Sequence, residues 1–303
     1  MFESNYLFKI YQIVYQHMEN FLYFIRIYIM KSLCAFAIAF SVVLCAIFVY
    51  VRLKPIHIIH RIDKSNTGDM VSSCTNYFYF PKTTKHDIYK VDIKRIRRGD
   101  FVIFSGGGLF NNNDLWNKTI NDVLQLTPNC YGWGVGINLH TNSKISRPIE
   151  YGSFKTIGIR DYANTHGIPY LPCSSCMIPY LKRSYTPVRK YGILEHIHHK
   201  VSLDLPKMKN DKPIEEIIRF IGETEYVVTN TYHCYYFCML MKKFVVLYEK
   251  FSSKFEGLRY PPVMYSGDLE KDFGRCKVYP EFHKECIELN KRFYMGFMRD
   301  YML

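Results

Sequence analysis

The chain has 303 residues, and 48% of them are hydrophobic. That is enough apolar material for two modest domains and excludes wholesale disorder. The net charge of +13 favours anionic partners, such as phosphate-bearing substrates or a membrane surface. Nucleic acid is not expected: the basic residues are scattered, and their one cluster, at 94–98, precedes a strand and reads as a solvated face.

Residues 1–31 form an aromatic, weakly basic tail. Residues 32–52 are expected to form a single transmembrane helix. Leu33 to Val51 carries no charge, Lys31 and Arg52 bound it, and at ~1.5 Å per residue it spans the hydrocarbon core. A cleaved signal peptide is the rival reading, but the run is long for one and no A-x-A site follows. Lys and Arg nearly balance at the two ends, so orientation is undecided. The expectation is a single-pass membrane protein: Golgi-type with a lumenal domain if eukaryotic, or facing the cytoplasm from the inner membrane if bacterial.

An N-terminal α/β domain is expected over 53–180. It begins with a strand at 55–62, a turn at 65–69 and a short helix from about Met70. A buried strand at 101–104 runs into Gly106-Gly107-Gly108. The Asn111–Asp114 turn then caps a helix through about Leu126. Strands follow at 131–138 and 156–159. Residues 169–187 hold four prolines and suit a linker. This half is short for a complete Rossmann domain.

A C-terminal α/β domain is expected over 181–303. It has a strand at 191–198, a helix at 213–222 and a closing helix at 283–301. Its centre is a strand–turn–helix–strand unit at 226–248. Tyr232, Tyr235, Tyr236, Met239 and Leu240 recur at helical spacing between two β-branched runs. Only a parallel crossover joins such strands through a helix. His233 then falls in the first helical turn, at the carboxyl end of a parallel strand, where open α/β sheets bind ligands and backbone N–H groups favour an anion.

Ten cysteines form no evident disulfide framework. Cys173-x-x-Cys176 reads first as structural, with a disulfide or a metal site as alternatives. His196 and His198 share a strand face and invite a metal reading, but strand histidines are more often solvated or hydrogen-bonded. No metal site is expected.

Several of these segments resemble the polysaccharide pyruvyl transferase family. Thr229-Asn230-Thr231-Tyr232-His233, the aromatic helix after it and the Phe251–Phe255 loop resemble that family's C-terminal signature, with Cys234 where the family places Gly. Upstream, Asn66-Thr67-Gly68-Asp69, Phe104-Ser105-Gly106-Gly107-Gly108, Gly132–Asn138, Gly158-Ile159-Arg160-Asp161 and Pro172-Cys173-Ser174-Ser175-Cys176 resemble further elements in the family's order. The likeness covers roughly residues 60–260 and leaves out the first 52.

The resemblance implies two Rossmann-like domains facing across a cleft (GT-B-like), the first one short, here preceded by the single transmembrane helix. It implies transfer of a pyruvyl group from phosphoenolpyruvate to a sugar diol of a glycan or glycolipid, forming a cyclic ketal. Phosphoenolpyruvate is the donor substrate, and no cofactor is needed. Arg160, at a strand end, is expected to hold the donor's carboxylate or phosphate. His233 is expected to be the general acid, or a neutral donor to the phosphate. Asn66, Asp69, Gly106, Gly107, Gly108, Thr231, Tyr232 and Lys254 complete the expected binding set. The glycine run lacks the Lys-Ser/Thr of a P-loop, so it does not indicate a nucleotide. Two other readings stand beside this one. A glycosyltransferase of the same architecture would bind a nucleotide sugar, and an inactive relative would bind glycan without turnover.

Overall fold

The computed structural model describes residues 52–139, 147–164 and 166–303, together with 16, 18–25, 28–31, 35–36 and 38–44. The chain divides into Met1–Leu53 and Lys54–Leu303. In the first part the expected anchor is not found: among the described residues no helix is long and apolar enough to cross a membrane. A helical span needs about 20 consecutive apolar residues, and no described helix supplies them. Residues 32–34, 37 and 45–51 of the expected span lie outside the described residues. The fold class is therefore corrected to mixed α/β with parallel sheets, with no transmembrane helix among the described residues.

Lys54–Leu303 begins with β1 (Ile56–His60), α1 (Thr67–Val71), β2 (Thr83–Asp87), β3 (Phe101–Ser105) and β4 (Phe110–Asn111). Then come α2 (Asp114–Leu126), β5 (Cys130–Val135), β6 (Ile137–Asn138) and β7 (Thr156–Ile159). The second half has β8 (Arg189–Glu195), β9 (Lys207–Lys209), α3 (Ile214–Gly222), β10 (Thr224–Thr229), α4 (Tyr232–Leu240) and β11 (Phe244–Leu247). It closes with β12 (Val263–Met264), α5 (Leu269–Gly274) and α6 (Phe282–Met302).

Two five-stranded sheets result, ordered β2-β1-β3-β5-β7 and β12-β11-β10-β8-β9. Every pairing in them is parallel. Numbered within its own half, each sheet has the order 2-1-3-4-5, the flavodoxin-like order, whose ligand crevice lies at the carboxyl ends where the order reverses. In the first sheet that point lies between β1 and β3, in the second between β8 and β10. β4 and β6 form a separate parallel pair.

Sequence explains the central strands. β1 and β3 are buried at every position; β3 reads as a nearly continuous apolar run, as strands covered on both faces do, while β1 also buries His57, which bonds to His86 and Asp100. In α2, Asn113 caps the amide groups of Leu115 and Trp116, and Trp116, Ile120, Val123 and Leu124 form the buried stripe. Every residue of α4 except His233 is buried, so this helix is apolar all round because it is enclosed.

The first sheet has as many strands as the second. A helix from the other end of the chain covers its flank. On α6, Asn290 accepts from Trp133 Nε1 at 2.7 Å, and Asp300 accepts from Tyr131 Oη at 3.0 Å. Phe297 packs edge-on against Tyr131 and Phe101. The proline-rich stretch at 169–187 folds into two 3₁₀ turns rather than an open linker, burying Cys173, Cys176 and Leu181.

Candidate functional site

A cleft of about 580 Å³ lies where the carboxyl ends of the two sheets meet, within the range usual for small-ligand sites. Its lining includes Asn66, Gly68, Asp69, Gly108, Arg160, His196, Thr231, Tyr232, His233 and Lys254. It is assembled from both switch points. Asn66 and Asp69 follow β1, Gly108 follows β3, His196 follows β8, and His233 follows β10.

The turn after β10 has a task for each residue. Thr229 Oγ1 donates to Leu194 O at 2.6 Å, fixing the turn to β8. Asn230 accepts from His196 N and donates to His199 O, both at 2.8 Å. Thr231 caps α4 by accepting from Cys234 N at 3.2 Å. That amide is thus occupied within the protein rather than offered to an anion. Cys234 is 1% exposed and belongs to the core of the second half.

Arg160 continues from β7. It is 4% exposed, its Nε and Nη1 have no hydrogen-bond partner among the described residues, and its guanidinium lies 3.8 Å from the Tyr232 ring centroid. Among the described residues it forms no ion pair. The adjacent Asp161 instead accepts from Ile137 N at 2.8 Å. A buried guanidinium stacked on one aromatic face but short of acceptors is able to receive an anion.

The other charges fit that reading. Lys254 lies over the Phe251 ring at 4.0 Å. Burial, with the charge of Arg160, lowers it to about 7. Burial, Arg160 and Lys254 hold His233 well below its ordinary value, which favours the neutral imidazole. Burial and the charge of Asp63 lift Asp69 to about 6, against the pull of Arg160, Arg61 and Lys254. Asp69 accepts from Asn66 Nδ2 at 3.0 Å. Asn66 caps α1 through Gly68 N and accepts from Asn210 Nδ2 at 3.1 Å, tying the first half to the second.

The expected residues divide accordingly. His233, Arg160, Asn66, Asp69, Gly108, Thr231, Tyr232 and Lys254 line one cleft. Gly106 and Gly107 do not line it. They form the left-handed turn after β3, with φ of 59° and 67°.

His196, His199 and Phe251 were not foreseen as cleft residues. The chain leaves the strand after Glu195 and doubles back, so His196 bridges to His199 and His199 stacks on Phe251 at 4.0 Å. Burial, with Lys254, lowers His196 to about 4. Alternating spacing conceals this turn, although the run of three histidines over four positions was a signal of something other than a strand. Among the described residues no group of His, Cys, Asp and Glu is placed to hold a metal. Cys173 and Cys176 are free thiols.

No family model matches this chain, and no curated protein matches it. Among solved structures, an uncharacterized protein from Klebsiella pneumoniae subsp. pneumoniae NTUH-K2044 is similar at 18% identity and a TM-score of 0.42, covering 73% of this chain and 92% of that one.

Proposed function

We propose that this protein transfers a pyruvyl group from phosphoenolpyruvate to a sugar diol, releasing phosphate and leaving a cyclic ketal. The observation that carries the reading is the buried Arg160 guanidinium with two unpaired nitrogens, beside Lys254 and the neutral His233, in a cleft between two parallel sheets. Phosphoenolpyruvate bears a carboxylate and a phosphate on adjacent atoms of one small molecule. Two cations and a neutral donor match that charge pattern.

The chemistry needs one group that exchanges a proton near neutrality, and Asp69 at about 6 meets that need. Its carboxyl gives a proton to the methylene carbon, and C2 becomes electrophilic. The first sugar hydroxyl adds to C2 and returns its proton to the Asp69 carboxylate. Phosphate then leaves with the electrons of the C2–O bond, and the second hydroxyl closes the ring. The second hydroxyl's proton departs with phosphate, so atoms and charge balance. Arg160 and Lys254 hold the donor, and neutral His233 donates a hydrogen bond to the leaving group.

The test is to incubate the protein with phosphoenolpyruvate and a panel of galactosides, following released phosphate and the mass of the glycan. Phosphate release matched by a ketal adduct supports the reading. Tight binding of UDP or GDP without any reaction of phosphoenolpyruvate overturns it.

A further inference from the structure

The histidine in the cleft is held from behind. Cys173 Sγ lies 3.7 Å from His233 Nε2, and Ser175 Oγ donates to the same sulfur at 3.2 Å. Cys173 is fully buried, and its carbonyl accepts from Tyr236 Oη at 3.1 Å, so the sulfur has a fixed position. With the serine proton already directed at the sulfur, the thiol's own proton is left for the imidazole. No other acceptor for it is found among the described residues.

The other ring nitrogen faces the opposite way. A β-carbon on Gly68 would stand 3.0 Å from His233 Cγ and closer still to Nδ1. Nδ1 therefore faces the Gly68 turn that carries Asn66 and Asp69, residues that line the cleft together with His233. It makes no hydrogen bond to the described residues.

We infer that Cys173 is a positioning residue: a hydrogen-bond chain from Ser175 through the Cys173 thiol to His233 Nε2 fixes the neutral imidazole as the tautomer that carries its proton on Nδ1, the ring edge facing the Gly68 turn. The ring is thereby a donor to a bound anion without carrying a charge of its own. Burial supports this by pushing the Cys173 thiol up, so that the sulfur keeps its proton. The tautomer itself stands on geometry alone. Only its consequence for turnover rests on the proposed pyruvyl transfer.

The tautomer is read without substrate, from long-range proton–nitrogen correlation spectra of histidine-labelled full-length protein, with the His233 signals assigned by their loss in His233→Gln. The expected result is a proton on Nδ1 and a bare Nε2 in the wild type. Cys173→Ala moves the proton toward Nε2, and Cys173→Ser, whose hydroxyl also donates, restores the wild-type pattern. Ser175→Ala moves it in the same direction as Cys173→Ala, which keeps the test open if Cys173→Ala does not fold.

In turnover, Cys173→Ala lowers kcat roughly tenfold, the scale of one lost hydrogen bond, with KM for phosphoenolpyruvate little changed. Cys173→Ser recovers it. A wild-type proton on Nε2, or a tautomer unmoved in both alanine variants, overturns the inference. A protein that fails to turn over phosphoenolpyruvate but shows the expected tautomer shifts overturns the functional reading and leaves this one standing.

Discussion

Gly136 leaves the space that the Arg160 guanidinium fills: a β-carbon on Gly136 would stand 2.6 Å from Arg160 Cζ and closer still to Nε. A glycine in the turn after one strand thus holds open the seat of a cation from the next. Gly136→Ala is therefore expected to mimic Arg160→Ala. Both should lose the transition-state stabilisation of one charged donor, about 2.7–4 kcal/mol. Arg160→Ala should do so without lowering the melting temperature, because it removes a buried cation that has no paired carboxylate. Steady-state phosphate release measures this, and near-wild-type rates in Arg160→Ala would remove Arg160 from the site.

The same relation joins Gly68 to His233. Gly68→Ala should push the imidazole out of the cleft and lower turnover as much as His233→Ala does. If Gly68→Ala retains full activity while His233→Ala does not, the ring moves freely and is not held between Gly68 and Cys173.

Lys254 gives a pH dependence with a definite sign. In the folded protein it loses its proton near about 7, against 10.5 ordinarily. Between those values the unfolded chain binds the extra proton, so this contribution raises stability as pH rises from about 7. Below about 7 both states carry the charge, and the penalty is complete. Asp69 acts oppositely: raised from 3.8 to about 6, it lowers stability as pH climbs through that window. Lys254→Met should raise the melting temperature near neutrality, flatten its increase above about 7, and abolish phosphoenolpyruvate binding. In the wild type, donor binding above about 7 should take up a proton, seen as a buffer-dependent heat in titration calorimetry. Binding heat independent of buffer would count against Lys254 as a donor ligand.

Asn290 satisfies Trp133 Nε1 and, through Nδ2, Pro172 O at 3.1 Å and Cys286 O at 3.0 Å, all in the interior. Asn290→Ala leaves a buried indole donor and a carbonyl unpaired, at about 1–3 kcal/mol each. Urea unfolding should show that loss with little effect on donor affinity in the folded fraction. A midpoint equal to wild type would mean that water replaces the amide.

For Cys234, burial decides between restoring a family-like glycine and emptying a packed site. At 1% exposure within the second core, Cys234→Gly should mainly reduce thermal stability. Removing a buried side chain adds to the ~1 kcal/mol that Gly costs a helix against Ala. Phosphoenolpyruvate affinity should be nearly unchanged, since the Cys234 amide is already bonded to Thr231. A tenfold gain in affinity would show that the side chain obstructs the donor.

Local signals were legible where they were strong. The β10–α4–β11 unit, the capping turn at 111–114 and the strand before Arg160 follow from residue spacing and turn chemistry, and the first and last of these bring His233 and Arg160 to one cleft. β2 was missed because Thr83-Thr84-Lys85-His86-Asp87 is a polar edge strand without apolar alternation. The expected strand at 191–198 ran too far, because Asn230, distant in sequence, pins the His196–His199 turn. The Cys173–His233 contact and the seat of Arg160 beside Gly136 depend on how segments far apart in the chain meet. The apolar run at 33–51 matched a membrane span in length and composition, yet no described helix is long and apolar enough to cross a membrane.

Because α6 reaches back to cover the first sheet, synthesis and folding are out of step. Phe101, Tyr131 and Trp133 are made early, but their cover of Asn290, Phe297 and Tyr301 emerges only at the end. A nascent chain therefore presents an aromatic sheet face to its surroundings throughout elongation of the second half. Uncovered apolar surface of that kind is what makes incompletely folded chains prone to aggregate, so the cover that α6 supplies closes that interval.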